Sequence, residues 1–368
     1  MAGLYSRVGH QLRELLVHGR RFSQPGRRLG RVVVFPSDSA SGSASDLRAF
    51  AIASELRRQG WRSVCVPSQL GLNQRLRIVK AERPDVILIQ QSRHPLNRPS
   101  YYGGTPCVFD ADDADILDPR CTDAVIECCR ASASVIAGSR YLAGLFRPYN
   151  PNVEVVWTGT YLRPWSRSTP SAQRDPVVAW AHSEPLGYPA EADLVRKVVL
   201  RLAERNRFTF YVYGVRDEHQ ARSDDYLAPI QAAGVPVRVF RPMPYARFAR
   251  TLNAVAVGLH PVCVSSPFSR GKSFGKLLAY LAADVAIVAS NAVDHPLFFR
   301  HGDNGMLAGD DVDSWVDCCE RLLNDPAGRE RIVEAGRVDF LRRLTTTRAA
   351  ELVGLQLESS IGLRARPS

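Results

Sequence analysis

The sequence predicts an α/β fold built as two domains, each a parallel sheet covered by helices. Three observations carry that expectation. The chain has 368 residues, more than one ordinary core of roughly 150 residues accommodates. Short apolar runs alternate with helix-period segments along nearly the whole length, the pattern of βαβ units. That alternation stops once, at the Pro-, Ser- and Arg-rich stretch 163–176, and then restarts, which suits a linker between domains.

Residues 1–30 form a basic leader in which Leu4, Val8, Leu12, Leu15 and Leu16 recur at helical spacing among Arg7, Arg13, Arg20 and Arg21. Such a helix either lies on an anionic membrane surface or packs on its own domain. The first domain, 31–162, opens with the buried strand Arg31–Phe35, followed by the Ser/Gly loop Pro36–Ser45 and the helix Asp46–Gln59, which Gly60 stops. Strand Val64–Val66, helix Asn73–Glu82 and strand Val86–Gln90 come next. Cys107–Phe109 runs into the acidic stretch Asp110–Asp115, and helix Thr122–Ala131, strand Ser134–Ala137, helix Ser139–Arg147 and strand Val153–Val156 complete the domain.

In the second domain, 177–345, the strands are Val177–Trp180, Thr209–Val212, Val237–Val239, Val255–Leu259 and Val285–Ala289. The helices are Ala190–Arg205, Tyr226–Ala233, Tyr245–Asn253, Lys276–Ala282, Val312–Asn324 and Pro326–Leu344, with a C-terminal helix and tail over 346–368. Two Rossmann-like halves of similar size predict sheets facing across a cleft, with a ligand at the carboxyl ends of the strands.

A composition of 45% apolar and 23% charged residues is globular, and no run reaches the roughly 18 apolar residues of a membrane span. The formal charge of +11 suits nucleotides, nucleic acid or an anionic bilayer, and equally a solvated arginine-rich surface. No basic-aromatic module supports nucleic acid, so none is expected. The eight cysteines lack paired C-x2-C spacing, which argues against zinc and for reduced, buried thiols. The first 30 residues lack the apolar core of a secretory signal. A cytoplasmic protein is the expectation, with peripheral contact to the inner membrane face through the leader.

The stretch Gly258–Gly305 holds most of the chemistry. A strand ends at His260-Pro261, and a loop carrying Arg270, Lys272, Ser273 and Lys276 leads into an apolar helix. Cations at a helix mouth beyond a strand's carboxyl end suit a phosphate. Gly271-Lys272-Ser273 lacks the upstream glycine of a P-loop.

These residues resemble the GT-B glycosyltransferases of the retaining family 4 (group 1) type. Trp180-Ala-His-Ser183 resembles the opening strand of that family's nucleotide-sugar domain, and Val257-Gly-Leu-His-Pro261 a later one. The run GKSFGKLLAYLAADVAIVAS over 271–290 is similar to the donor-site helix and its strand. His301-Gly-Asp-Asn-Gly305, and Ser314-Trp315 through Asp325-Pro326, resemble the closing turn and helix. The resemblance implies a hexosyltransferase-type enzyme of glycan or glycoconjugate (polysaccharide) biosynthesis. It would move a sugar from a nucleotide-diphosphate donor to a hydroxyl acceptor, with no metal and no cofactor besides the donor.

The same resemblance implies that Arg270, Lys272, Ser273 and Lys276, with His182 and Ser183 beyond the first strand, hold the donor and its diphosphate. The loop at Gly42 and Ser43 would lie near donor or acceptor. Asp110 falls about where relatives place an active-site histidine, so Asp110 and Asp113 are the candidate catalytic residues. Read without the resemblance, aspartates at a strand end could orient an acceptor hydroxyl, bind a divalent ion or serve the turn. His260, Arg93 and His94 also end strands, as ligand contacts or as structural residues. One departure stands out: the family's paired glutamates fall at Gly271 and Ala279, and its usual Gly and Pro downstream at Asp284 and Ala286. The loss leaves a second expectation open, a catalytically impaired module that scaffolds or regulates a glycan-assembly complex.

Overall fold

The computed structural model describes residues 11–18, 29–40, 43–161, 169–243, 245–272 and 274–364. Gly42 and Ser273, most of the leader and the linker residues 163–168 lie outside them. The chain divides into two compact units. The first comprises Met1–Gly159, Gly271–Ser273 and Thr346–Ser368; the second comprises Thr160–Arg270 and Phe274–Thr345.

The first unit is a six-stranded sheet of order β2-β1-β3-β4-β5-β6, every neighbouring pair parallel. The strands are β1 Arg31–Phe35, β2 Arg62–Cys65, β3 Val86–Gln90, β4 Cys107–Ala111, β5 Ser134–Ala137 and β6 Val153–Val155. β1 and β3 are almost wholly Val, Ile, Leu and Phe because helices cover both faces of a parallel sheet. Helix α1 over 11–18, α2 over 43–58 and α3 at Leu72–Glu82 belong here. So do α4 at Thr122–Ala131 and α5 at Arg140–Phe146.

The second unit is a parallel sheet of order β12-β11-β10-β7-β8-β9. Its strands are β7 Val177–Ala181, β8 Thr209–Tyr213, β9 Val237–Phe240, β10 Val257–His260, β11 Ala286–Ser290 and β12 Met306–Ala308. Its helices include α6 at Pro189–Ala203, α7 at Gln220–Ala232, α8 at Tyr245–Thr251, α9 at Pro267–Arg270 and α10 at Leu277–Ala282. Then come α11 at His295–Phe298, α12 at Val312–Asn324 and α13 at Pro326–Arg343. Strand order reverses between β1 and β3 in one sheet and between β7 and β10 in the other. Those switch points mark where each sheet opens a crevice at its carboxyl edge.

Several expectations shift. The helix expected at Tyr226–Ala233 starts at Gln220, and the strand expected at Val64–Val66 runs Arg62–Cys65. The C-terminal helix α14, Thr346–Arg364, is part of the first unit: Ala349, Ala350, Val353 and Leu357 are buried with the α2 residues Ala49, Ile52, Ala53 and Leu56. The expected linker is ordered at its downstream end, because Arg174 is 7% exposed and donates to the carbonyls of Val255 at 2.7 Å and Ala283 at 3.0 Å. β10 begins at Val257 rather than Val255, whose amide closes a turn onto the Leu252 carbonyl.

Candidate functional site

In the second unit the carboxyl edge is shaped by two tight approaches. Gly214, just beyond β8, has φ +93°, and a Cβ there would collide with the His182 carbonyl. The chain can therefore pass close under His182 only with glycine at 214. A Cβ at Gly258, in β10, would lie 2.8 Å from the Tyr280 ring. Packed there, Tyr280 accepts from the Ala181 amide at 2.8 Å and donates to the Ala179 carbonyl at 3.2 Å. The buried hydroxyl thus ties α10, which follows the basic loop, to the end of β7.

His182 is oriented at this edge. Its Nδ1 accepts from the Glu184 amide at 3.0 Å, and its ring lies 4.3 Å from that of Tyr188. Ser183 beside it is exposed. On the far side of the switch point the His260 and His295 rings are 5.2 Å apart. His295 is buried and donates from Nδ1 to the Ser290 carbonyl at 3.0 Å; burial pulls it down to about 4, so the ring is neutral. Ser290 Oγ accepts from the Val262 amide and Glu191 Oε1 from the Cys263 amide. Two side chains thereby pin the loop that leaves β10.

Arg270 and Lys276 belong to the second unit, whereas Gly271 and Lys272 cluster with the first. Arg270 ends α9 and is exposed. Lys276 is the residue before α10, half-buried, with Nζ 5.8 Å from the Phe248 ring centroid. Burial lowers its pKa, and no carboxylate pairs with it among the described residues. A cation held partly out of water without a counter-ion is a site prepared for an anion. Gly271 and Ala279 hold no acid: Ala279 is 3% exposed, and a Cβ on Gly271 would collide with Ala114.

The first unit's carboxyl edge is a polar network. Gln90 pairs in register with Asp110, and both side chains meet α2. Asp110 is 2% exposed, with both oxygens held by the guanidinium of Arg48, itself 4% exposed. That placement follows from its position inside β4: the side chain points to the covering helix, and a buried carboxylate requires a partner. Asp110 therefore serves as an internal counter-ion. Arg48 also donates to Thr158 Oγ1 at 2.9 Å and to the Val156 carbonyl.

The carboxylates that reach the edge come next. Asp112 is half-buried and accepts from Gln91 Nε2 at 2.8 Å and from Thr158 Oγ1 at 3.5 Å. Burial, reinforced by the charges of Asp113 and Asp110 and opposed by Arg48, pushes Asp112 up to about 7. Asp113 accepts from Arg93 at 2.7 Å, and Arg93 also grips Asp115 at 2.6 and 2.8 Å. Gln91 has φ +55°, a backbone bend held by Asn97, whose Nδ2 donates to the Gln90 and Gln91 carbonyls at 3.0 Å each. The Ser/Gly loop is fastened here too: Gln90 Oε1 accepts from the Ser37 amide and from Ser45 Oγ. Ser43 opens α2. His94 is held at about 4 by burial and Arg75, and its Nδ1 accepts from the Leu96 amide.

Sequence reasoning singled out the acidic run but missed Arg48, Gln91 and Thr158, which sort its members. Their separations in sequence are long, and no local pattern announces them. Glu191 and Tyr280 were missed for the same reason. Among the described residues no three His, Cys, Asp or Glu side chains are grouped to hold a metal ion.

The protein family described as glycosyl transferase-like matches residues 193–353. The sequence matches no curated protein. Solved structures match over both units. HepE of Anabaena, solved with UDP and glucose, superposes with a TM-score of 0.66 at 15% identity, covering 90% of this chain and 100% of that one. The chain has the GT-B glycosyltransferase fold. Sucrose-phosphate synthase of Thermosynechococcus elongatus gives a TM-score of 0.68 at 12% identity, with 90% and 99% covered. An alpha-glucosyltransferase solved with UDP and a 13-mer DNA containing a HMU base gives 0.66 at 12%, with 91% and 100% covered. Within this GT-B chain the matched segment 193–353 includes β8 to β12, the basic loop and both edge histidines His260 and His295.

Proposed function

We propose that this protein transfers a sugar, of hexosyl type, from a nucleotide-diphosphate donor to a hydroxyl acceptor in glycan or glycoconjugate assembly. Lys276 is the observation that carries the reading: a partly desolvated cation without a carboxylate partner among the described residues, beside a helix that Tyr280 fixes to β7. A departing diphosphate gains negative charge, so cations held in place stabilise the transition state more than the ground state. Lys276 and Arg270 supply that charge, with Lys272 and Ser273 on the same loop and His182 and Ser183 at the end of β7 completing donor contact. UDP or UDP-glucose bound in HepE crystals supports a nucleotide-diphosphate ligand for the second unit.

The acceptor is assigned to the carboxyl edge of the first unit. Asp112 and Asp113 orient its hydroxyl, Asp110 holds Arg48 in place, and the loop at Gly42 and Ser43 is assigned to donor or acceptor contact on the family resemblance. No metal and no cofactor beyond the donor is needed, and retention of configuration follows the family resemblance. The setting is cytoplasmic, with the basic N-terminus in contact with an anionic membrane face.

A second reading rests on Gly271 and Ala279. Without a carboxylate at either position the donor's ribose loses a charge-assisted hydrogen bond, worth about 1.5–3 kcal/mol, and a non-catalytic scaffold would need none. Purified protein incubated with nucleoside diphosphate sugars, with water and with simple glycoside acceptors, separates the two. Release of the nucleoside diphosphate above the uncatalysed rate is expected. No release from any donor, despite donor binding, would favour the scaffold.

A further inference from the structure

The opposite end of the first sheet carries a cavity of about 500 Å³ lined by Arg31, Arg62, Lys80, Ala81, Glu82 and Arg83. Arg31 and Arg62 open β1 and β2, and Lys80 to Glu82 form the last turn of α3. The cavity thus lies at the amino ends of the strands, away from the candidate site. Arg31 pairs with Asp85 at 3.1 Å and Arg62 with Glu82 at 3.0 Å. The exposed side chains of Lys80 and Arg83 make no ion pair or hydrogen bond among the described residues.

One turn back along α3, helix α1 is docked. Glu14 accepts from Arg77 Nε and NH2 at 2.8 Å each, and Glu14 and Val17 are 8% and 4% exposed. Leu12, Leu15 and Leu16 remain 58%, 65% and 58% exposed. A surface helix of a water-facing protein ordinarily turns its leucines inward and its glutamate out. Positions 77 and 80–81 follow one another at i, i+3 and i+4 spacing, so the leucine-bearing helix and the basic cavity share one side of α3.

We propose that this face docks on an anionic lipid bilayer, the three leucines entering the headgroup boundary and Lys80 and Arg83 holding a lipid phosphate at the mouth of the cavity. The proposal rests on the membrane contact given above and assigns it a site. Exposed leucines beside unpaired cations match the two requirements of interfacial binding, apolar area and positive charge. The chain's net charge of +11 favours the same partner.

Sedimentation of the full chain with vesicles of phosphatidylcholine, alone and mixed with phosphatidylglycerol, tests it. Binding to the mixed vesicles only is expected, weakening as salt rises. The pair Lys80→Ser and Arg83→Ser should weaken binding about thirtyfold, at about 1 kcal/mol per cation. Leu12→Ser, Leu15→Ser and Leu16→Ser together should weaken it as well. All five positions are exposed, so thermal unfolding should be unchanged in both variants. Undiminished binding of the Lys80/Arg83 variant would overturn the phosphate site while membrane contact stood. Wild-type protein that binds neither vesicle would overturn both. Thermal stabilisation by inorganic phosphate without vesicle binding would make the cavity a free-anion site and overturn the lipid assignment.

Discussion

Arg48 and Asp110 are both almost fully buried, and each is the other's counter-ion. Removing one partner of such a pair leaves an uncompensated charge, at a cost of about 3–5 kcal/mol. Asp110→Asn should lower the unfolding free energy by that amount in a denaturant titration; a loss below about 1 kcal/mol would show that the carboxylate is dispensable to the fold. Asp112, half-buried and two residues on, should behave differently. If the ionised carboxylate orients the acceptor, transfer should rise with pH through about 7. Asp112→Asn should flatten that limb with little change in stability, and a retained limb would exclude Asp112. The sequence shows an acidic run after a strand but not which aspartate faces inward. That is decided by Arg48, 62 residues earlier in the chain.

At the scale of elements, the parallel strands were legible wherever apolar runs are long and bounded by turns: β1, β3 and β5 have the predicted limits. β12, Met306–Ala308, was not among the expected strands, because three residues are too few for periodicity to register. The docking of α14 on the first unit was equally hidden, since its apolar stripe reads the same whichever core it meets. Gly214 shows how one residue governs an edge. With φ +93° and the His182 carbonyl against it, Gly214→Ala combines backbone strain with a clash and should cost about 2–4 kcal/mol. It should also displace His182 and weaken donor binding. A variant with unchanged unfolding and affinity would show that the close approach is not needed.

For the whole molecule, the buried His295 and the half-buried His94 weigh most in the response to acid. His94 and His295 are held at about 4 against an ordinary value near 6.5. As pH falls through that window the unfolded chain takes up protons that the folded chain refuses, so stability is lost from about 6.5 downward. Asp112, raised to about 7, has the opposite sign: between its ordinary value and about 7 its contribution falls as pH rises. Asp115, raised by burial, shares the sign of Asp112; the two histidines are expected to outweigh both below 6.5, so the unfolding midpoint should drop between pH 6.5 and 5. A flat or rising midpoint would contradict the neutral assignments.

The two-unit α/β plan and the basic loop were legible from alternation and motif order. That Gly271 and Ala279 carry no carboxylate is read directly from the sequence, and the structure adds that a Cβ on Gly271 would collide with Ala114. The half-burial of Lys276 without a carboxylate partner among the described residues was not legible, because burial is a property of the assembled unit.

That lysine also gives the most direct test of the central claim. Calorimetric titration with UDP should show saturable binding to the wild-type protein. Lys276→Ala with Arg270→Ala should weaken it at least about tenfold, the loss of charge-assisted contacts to a diphosphate. Equal affinity in wild type and variant, or no binding of UDP or any other nucleoside diphosphate, would contradict the account.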